Sequence, residues 1–184
     1  MIISSCWPIL ETQRFDVNGV LDDEKCTAER QNSRIRRIFE TDKSIVVIGG
    51  RMPLMLHVNY FDNKEGGIEV GDEAGAPYSY KPIEPSIIFD QHDVTLERAI
   101  TGTILKILNR GHSVILVYPI PEVGWSVPHR LLGKKPVGMT SVEWLLKHPI
   151  STSYELYLER TKSSFDLLDG ISHKNSTYLD SKHS

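Results

Sequence analysis

The chain has 184 residues, 40% hydrophobic and 24% charged, with Lys+Arg 21 against Asp+Glu 24 and a formal net charge of -3. That is the composition of one ordinary folded domain; it excludes disordered, collagen-like and coiled-coil classes. It also lacks the basic excess of a phosphate-backbone binder, so no nucleic-acid partner is expected. The most apolar stretches, 44–48 and 114–120, fall far short of the roughly 20 residues that a membrane helix needs.

The opening Met1-Ile2-Ile3-Ser4-Ser5 reads as a short strand leading into a Pro-containing loop, without the basic and long apolar regions of a secretory signal. Residues 22–40 carry Ala28, Ile35, Ile38 and Phe39 at helical spacing, which predicts an amphipathic helix packing through its second half, with Asp22 and Asp23 suited to its start. Ser44-Ile45-Val46-Val47-Ile48, closing on Gly49-Gly50, is a β-branched run of the kind covered on both faces, and predicts a central strand of a parallel sheet. Residues 51–90 are irregular and rich in Gly and Pro and read as an insertion. Within it, 55–61 and Ile68-Glu69-Val70 flank a Gly-containing loop and predict a hairpin.

A second helix is predicted over 94–109, with Leu96, Ile100, Ile104, Ile107 and Leu108 on one face and Gly111 as its stop. Residues 113–118 form the next buried strand, ending at Pro119. Thr140-Ser141-Val142-Glu143 and Thr152-Ser153-Tyr154-Glu155 both have capping-box spacing. The second opens a helix with the stripe Tyr154, Tyr157, Leu158, Thr161, Phe165 and Leu168, ending near Gly170. Strands alternating with helices predict an open parallel α/β sheet with right-handed crossovers. Chemistry in such sheets gathers at the carboxyl ends of the strands. Those ends are Ser4-Ser5, Gly49-Gly50-Arg51, residues 119–125, and the strand before the C-terminal tail.

Each of these places holds candidate residues with a plainer alternative beside it. Val46-Val47-Ile48-Gly49-Gly50-Arg51 contains neither GxGxxG nor GxxxxGK[ST], so its glycines read as a tight turn or a close backbone approach. Arg51 is a candidate substrate-binding guanidinium, the alternative being a salt bridge that clamps the insertion. Pro119-Ile120-Pro121-Glu122-Val123-Gly124-Trp125-Ser126-Val127-Pro128 is a loop stiffened by proline. In it Glu122 is a candidate acid, base or substrate contact and Trp125 a stacking platform for a sugar face; the alternatives are a rigid lid and a packing residue. In Tyr178-Leu179-Asp180-Ser181-Lys182-His183-Ser184, Asp180 stands three residues before His183. An Asp so placed can orient the imidazole through Nδ1 and leave Nε2 to take a proton; the alternative is a solvated polar tail. Cys6 and Cys26 are the only cysteines and allow a disulfide, two thiols or half a metal site. With no CxxC, and with His57, His92, His112, His129, His148 and His173 in no metal spacing, neither a metal nor a cofactor is expected.

Taken in order, Ser5-Cys6-Trp7-Pro8 with Cys26, Ile45-Val46-Val47-Ile48-Gly49-Gly50-Arg51, the Pro119-Ile120-Pro121-Glu122-Val123-Gly124 loop and the final Asp180 to His183 block cover most of the chain. They resemble the SGNH-type domain found fused to, or encoded with, integral-membrane acyltransferases that O-acetylate bacterial surface polysaccharides. The resemblance implies one flavodoxin-like three-layer α/β/α domain over 1–184. It implies a mechanism in which Asp180 orients His183 and His183 is general base to an acyl-accepting serine. It further implies a Cys6–Cys26 disulfide, an extracytoplasmic location on the periplasmic side, and a polysaccharide or oligosaccharide substrate. Membrane attachment would run through a part not in this chain, with a fused or adjacent membrane acyltransferase domain as partner.

The chain departs from that pattern in three ways. The family's nucleophile lies in a Gly-Asp-Ser motif, which this sequence lacks; Gly71-Asp72-Glu73 has no hydroxyl, and Ser4 and Ser5 lack the motif. The expectation is a domain that begins at the family's second strand and is inactive as given. Only residues 171–179 separate Gly170 from Asp180, short for the family's further strand and loop, and the oxyanion-hole Asn block is unrecognisable. One rival reading is a non-catalytic glycan-binding or partner-docking module, with Trp125, Tyr118 and Glu122 lining its groove. Another is a cytosolic α/β domain with reduced cysteines.

Overall fold

The structure, a computed structural model, describes residues 6–16, 18–22, 25–64, 67–68, 78–83, 88, 94–124, 136–147, 152–171 and 176–179. In chain order its elements are β1 (Thr12–Phe15), α1 (Ala28–Phe39), β2 (Ile45–Ile48), α2 (Met52–His57) and β3 (Ser79–Pro82). There follow α3 (Leu96–Asn109), β4 (Ser113–Val117), α4 (Ser141–Lys147), α5 (Tyr154–Asp169) and β5 (Ser176–Leu179). No helix among the described residues is long and apolar enough to cross a membrane. The strand expected over 1–5 lies outside the described residues.

The order β2-β4-β5 makes a three-stranded parallel sheet, with Val46 beside Val114, Ile48 beside Leu116, and Val117 beside Leu179. Because side chains alternate along a strand, one face of this sheet carries Val46, Ile48, Val114 and Leu116. That face packs against Ile35 and Ile38 of α1, Ile100, Ile104 and Ile107 of α3, and Phe165 and Leu168 of α5. On the other face Ile45 and Val47 are 67% and 62% exposed. The strand expected over 44–48 is therefore present, and the expected cover on its second face lies outside the described residues. Among the described strands it is an edge, covered on one face. β-branched composition reports that a strand packs, whereas its place in the sheet depends on which distant strand pairs with it.

The helices follow their apolar periodicity, with starts set by side-chain caps. α1 begins at Ala28 rather than near residue 22, because the Thr27 hydroxyl accepts from the Arg30 amide. Asp22 serves a turn instead: its carboxylate holds Arg14 and accepts from the Lys25 amide. Thr95 caps α3 in the same way, and Gly111, at φ +89, follows its end. At α5 the cap is Ser153, accepting from the Leu156 amide at 3.2 Å, one residue beyond the expected Thr152. On that helix Tyr157, Thr161, Phe165 and Leu168 are buried while Tyr154 and Leu158 are exposed.

At α4 the capping box is complete. The Glu143 amide donates to the Thr140 hydroxyl at 3.2 Å and the Thr140 amide to the Glu143 carboxylate at 2.8 Å. The Thr140 backbone amide, then its hydroxyl, hold the Glu143 carboxyl below its ordinary value. A lowered carboxyl stabilises its helix above the ordinary carboxylate range, and that contribution is lost as pH falls through the lowered value. An NMR titration should show Glu143 ionising at lower pH than an unperturbed glutamate. In Thr140→Ala the midpoint should move back up.

The insertion departs most from expectation. Residues 52–57 form α2 and not a hairpin strand, with Pro53 in the first turn, where a missing N–H leaves no bond unmade. Among the described residues the expected hairpin is represented by an isolated bridge between Asp62 and Ile68, and Glu69 and Val70 lie outside them. α2 ends on Val58 in the left-handed region, φ 51, a conformation that disfavours a β-branched residue. Since Val58 is partly exposed, Val58→Gly should raise stability by about 1 kcal/mol in urea denaturation.

The antiparallel ribbon of β1 and β3, with Gln13 opposite Lys81 and Arg14 opposite Tyr80, has too polar a sequence to announce itself. It is anchored by buried Arg14, which pairs with Asp22 and stacks on the Tyr78 ring at 3.9 Å. Cys6 and Cys26, both buried, are joined by a disulfide with Cα atoms 5.8 Å apart, tying the chain ahead of β1 to the start of α1. With 20 positions between them, loop-closure entropy predicts that the Cys6→Ala, Cys26→Ala protein loses about 3 kcal/mol in denaturant titration.

Candidate active site

Parallel pairing brings the carboxyl ends of β2, β4 and β5 to one end of the sheet. At β2 that end is Gly49-Gly50, and both residues are pressed by neighbours. A Cβ on Gly49 would stand 2.8 Å from the Val117 Cβ, and one on Gly50 2.9 Å from the Trp7 ring. These glycines let a neighbouring strand and an indole approach the backbone.

Beyond them, Arg51 stands immediately before α2 and its side chain reaches across to the loop after β4. Its Nε donates to Glu122 Oε1 at 2.9 Å, and its terminal nitrogen pairs with the same oxygen. The other oxygen, Glu122 Oε2, accepts from Arg160 Nε at 2.9 Å. Arg160 continues to Asn59, donating to its side-chain and backbone oxygens. The side chains of Glu122 and Arg160 are 7% and 9% exposed, while that of Arg51 is 38% exposed. Two guanidiniums on one carboxylate leave the group with a net positive charge, and Arg51 is the member that reaches solvent. Such a charge at a strand's carboxyl end suits an anion or a developing oxyanion.

The loop carrying Glu122 is fixed elsewhere as well. The Tyr157 hydroxyl donates to the Pro119 carbonyl at 2.9 Å, and buried Asn63 donates to the Val123 carbonyl at 3.1 Å. Tyr118 is buried, with its hydroxyl donating to Asp169, which corrects its expected place in an open groove. The structure thus brings Arg51 and Glu122 together. Trp125, Asp180 and His183 lie outside the described residues; in sequence Asp180 directly follows Leu179, the last residue of β5. That strand occupies 176–179, so a strand does fit in the short stretch between Gly170 and Asp180. Arg160, Asn59 and Asn63 escaped the sequence reading. Arg160 lies 38 positions from Glu122, and on an amphipathic helix it looks like any solvated arginine.

These observations define an α/β domain whose site gathers at the carboxyl ends of a parallel sheet, with helices covering one sheet face. The chain matches the family described as "SGNH domain (fused to AT3 domains)" over residues 1–184, and it belongs to that family. No curated protein and no solved structure matches it. Family membership makes it an acyl-modifying SGNH-like domain associated with acyltransferases.

Proposed function

We propose that this domain handles O-acetyl groups on a cell-surface polysaccharide, as the SGNH part of an O-acyltransferase or esterase. Asp180 orients His183, and His183 Nε2 takes the proton of a serine hydroxyl as its oxygen attacks the acyl carbonyl. The imidazolium then returns the proton to the departing group, and the acyl-serine passes its acetyl to a sugar hydroxyl or to water. Arg51 and Trp125 contact the substrate, with Glu122 holding Arg51 in place. The observation that carries this reading is the Arg51, Glu122 and Arg160 cluster just beyond the carboxyl ends of β2 and β4, beside which β5 ends in parallel at Leu179, the residue that Asp180 follows in sequence.

The remainder of the reading has its own support. A disulfide between buried cysteines suits an oxidising, extracytoplasmic compartment, and the family's fusion to AT3 domains suits a membrane acyltransferase as partner. We read 1–184 as one domain with an insertion at about 51–90, and its full form as a three-layer α/β/α sandwich whose second helix layer covers Ile45 and Val47. Residues 1–184 hold no Gly-Asp-Ser, so they should not turn over an ester by themselves.

The test is hydrolysis of p-nitrophenyl acetate by residues 1–184 and by a polypeptide with a Gly-Asp-Ser strand placed ahead of Met1. Turnover only in the second is expected; equal rates in both would overturn the reading. The missing motif also favours a second reading, a glycan-binding module. Saturable binding of an acetylated oligosaccharide without turnover by either polypeptide, lost in Trp125→Ala, would establish it.

A further inference from the structure

Beside the cluster, α5 and the end of α2 enclose a small recess of about 210 Å³. Its described lining includes His57, Asn59, Tyr60 and Asp62 on one side and Glu159 and Arg160 of α5 on the other. Most of these side chains are already held. Arg160, gripped by Glu122, donates to the Asn59 side-chain oxygen. The Asp62 carboxylate accepts from the Lys64 amide at 2.8 Å, and His57 Nε2 meets the Ser163 hydroxyl at 2.9 Å. Walls fixed in advance lower the ordering cost of binding a ligand.

The lining selects the occupant. At roughly 30 Å³ per water molecule the recess has the room of about seven waters, that of one sugar ring, and it falls below the roughly 300 Å³ at which pockets for drug-sized ligands begin. With its oxygen engaged by Arg160, Asn59 offers its NH2 as a donor, while Asp62 and Glu159 offer acceptors. Hydroxyl groups use both kinds of partner. Tyr60, half-buried, adds aromatic surface for the C–H face of a ring. An anion is disfavoured, because Asp62 and Glu159 are both negative and the charge of Arg160 is already answered by Glu122. Among the described residues no group of three or more His, Cys, Asp or Glu side chains could hold a metal ion.

We propose that this recess binds one neutral pyranose unit of the polysaccharide, adjacent to the unit that carries the acetyl group. That the ring belongs to a polysaccharide rests on the acyl-transfer reading above; the choice of a neutral ring over a uronic acid follows from the charges. Its place along the polymer follows from Arg160, whose guanidinium lies between Asn59 and Glu122, with Glu122 in turn between Arg160 and Arg51. A ring in the recess is held away from Arg51 by the width of both groups, so it is a neighbour of the reacting unit. The recess thereby sets the register of the glycan and decides which unit meets the acyl group.

The experiment titrates ¹⁵N-labelled residues 1–184 with the methyl glycosides of glucose, galactose, mannose and rhamnose and with methyl glucuronide, each to about 50 mM, a range that captures weak single-ring binding. At least one neutral glycoside should shift the amides of residues 57–62 saturably, with the glucuronide about tenfold weaker or absent. Asp62→Asn with Glu159→Gln should narrow that gap, and Tyr60→Ala should weaken the neutral ring about tenfold. Should Tyr60→Ala unfold, Glu159→Trp, at an exposed position of α5, blocks the recess instead. The proposal is overturned if no neutral glycoside binds, if the glucuronide binds as well as they do, or if the shifts survive Tyr60→Ala or Glu159→Trp. p-Nitrophenyl acetate turnover by the polypeptide carrying the Gly-Asp-Ser strand is measured in parallel. Sugar binding without turnover upholds the recess and counts against acyl transfer; turnover without sugar binding does the reverse.

Discussion

Replacing His183 with alanine should lower acetyl-ester hydrolysis by about 10⁴-fold or more in a polypeptide that carries the Gly-Asp-Ser strand, with ester binding little changed. A serine hydroxyl at neutral pH is a weak nucleophile, and its reactivity depends on a base that removes the proton as the new bond forms. Members of such a triad act as a unit, so losing the base removes nearly all that the unit contributes, leaving only binding and oxyanion stabilisation. Asp180→Asn should have a smaller effect, about 10² to 10⁴-fold, because it alters the tautomer and charge of the imidazole without removing it. The measurement is kcat and KM for p-nitrophenyl acetate in the three proteins. A His183→Ala enzyme with an unchanged kcat would remove the final block from the mechanism.

The second large effect is on stability. Glu122→Ala should cost about 3 kcal/mol, near a hundredfold in the folding equilibrium, because it leaves the buried Arg160 guanidinium without its carboxylate. Arg51 adds little to this figure, since its side chain is 38% exposed and water can replace its partner. The double variant Glu122→Ala, Arg160→Met discriminates between mechanisms: with the buried charge gone, most of the loss should return. Urea denaturation of the two variants beside the parent reads this directly. If the single variant lost under 0.5 kcal/mol, the cluster would be behaving as a solvated surface pair.

The helices and parallel strands could be read from the sequence wherever a local pattern reported them. Ile100, Ile104 and Ile107 mark the buried face of α3, and the run at 45–48 marks β2. Caps were legible to within a residue at α5, where neighbouring Thr152 and Ser153 offer the same chemistry. At α1, however, Asp22 and Asp23 competed with Thr27, and only the pairing of Asp22 with Arg14 settles which is used. Arg51 and Glu122 were found by residue type and by standing just after apolar strands. Their contact spans 71 positions, and no periodicity encodes a contact at that range. The β1–β3 ribbon was hidden for the same reason, since it is a statement about distant partners.

The loop at 119–124 is bolted to three remote parts of the chain. Tyr157 and Arg160 of α5 hold Pro119 and Glu122, Arg51 holds Glu122 from the start of α2, and Asn63 holds Val123. Gly124, at φ +77, lies so close under the Gly67 carbonyl that a Cβ there would stand 2.5 Å from it. These fastenings make α2, Asn63 with Gly67, the β4 loop and α5 one mechanical body. Whatever part of the proposed site moves to admit a substrate, this side of the sheet is the anvil and not the hammer.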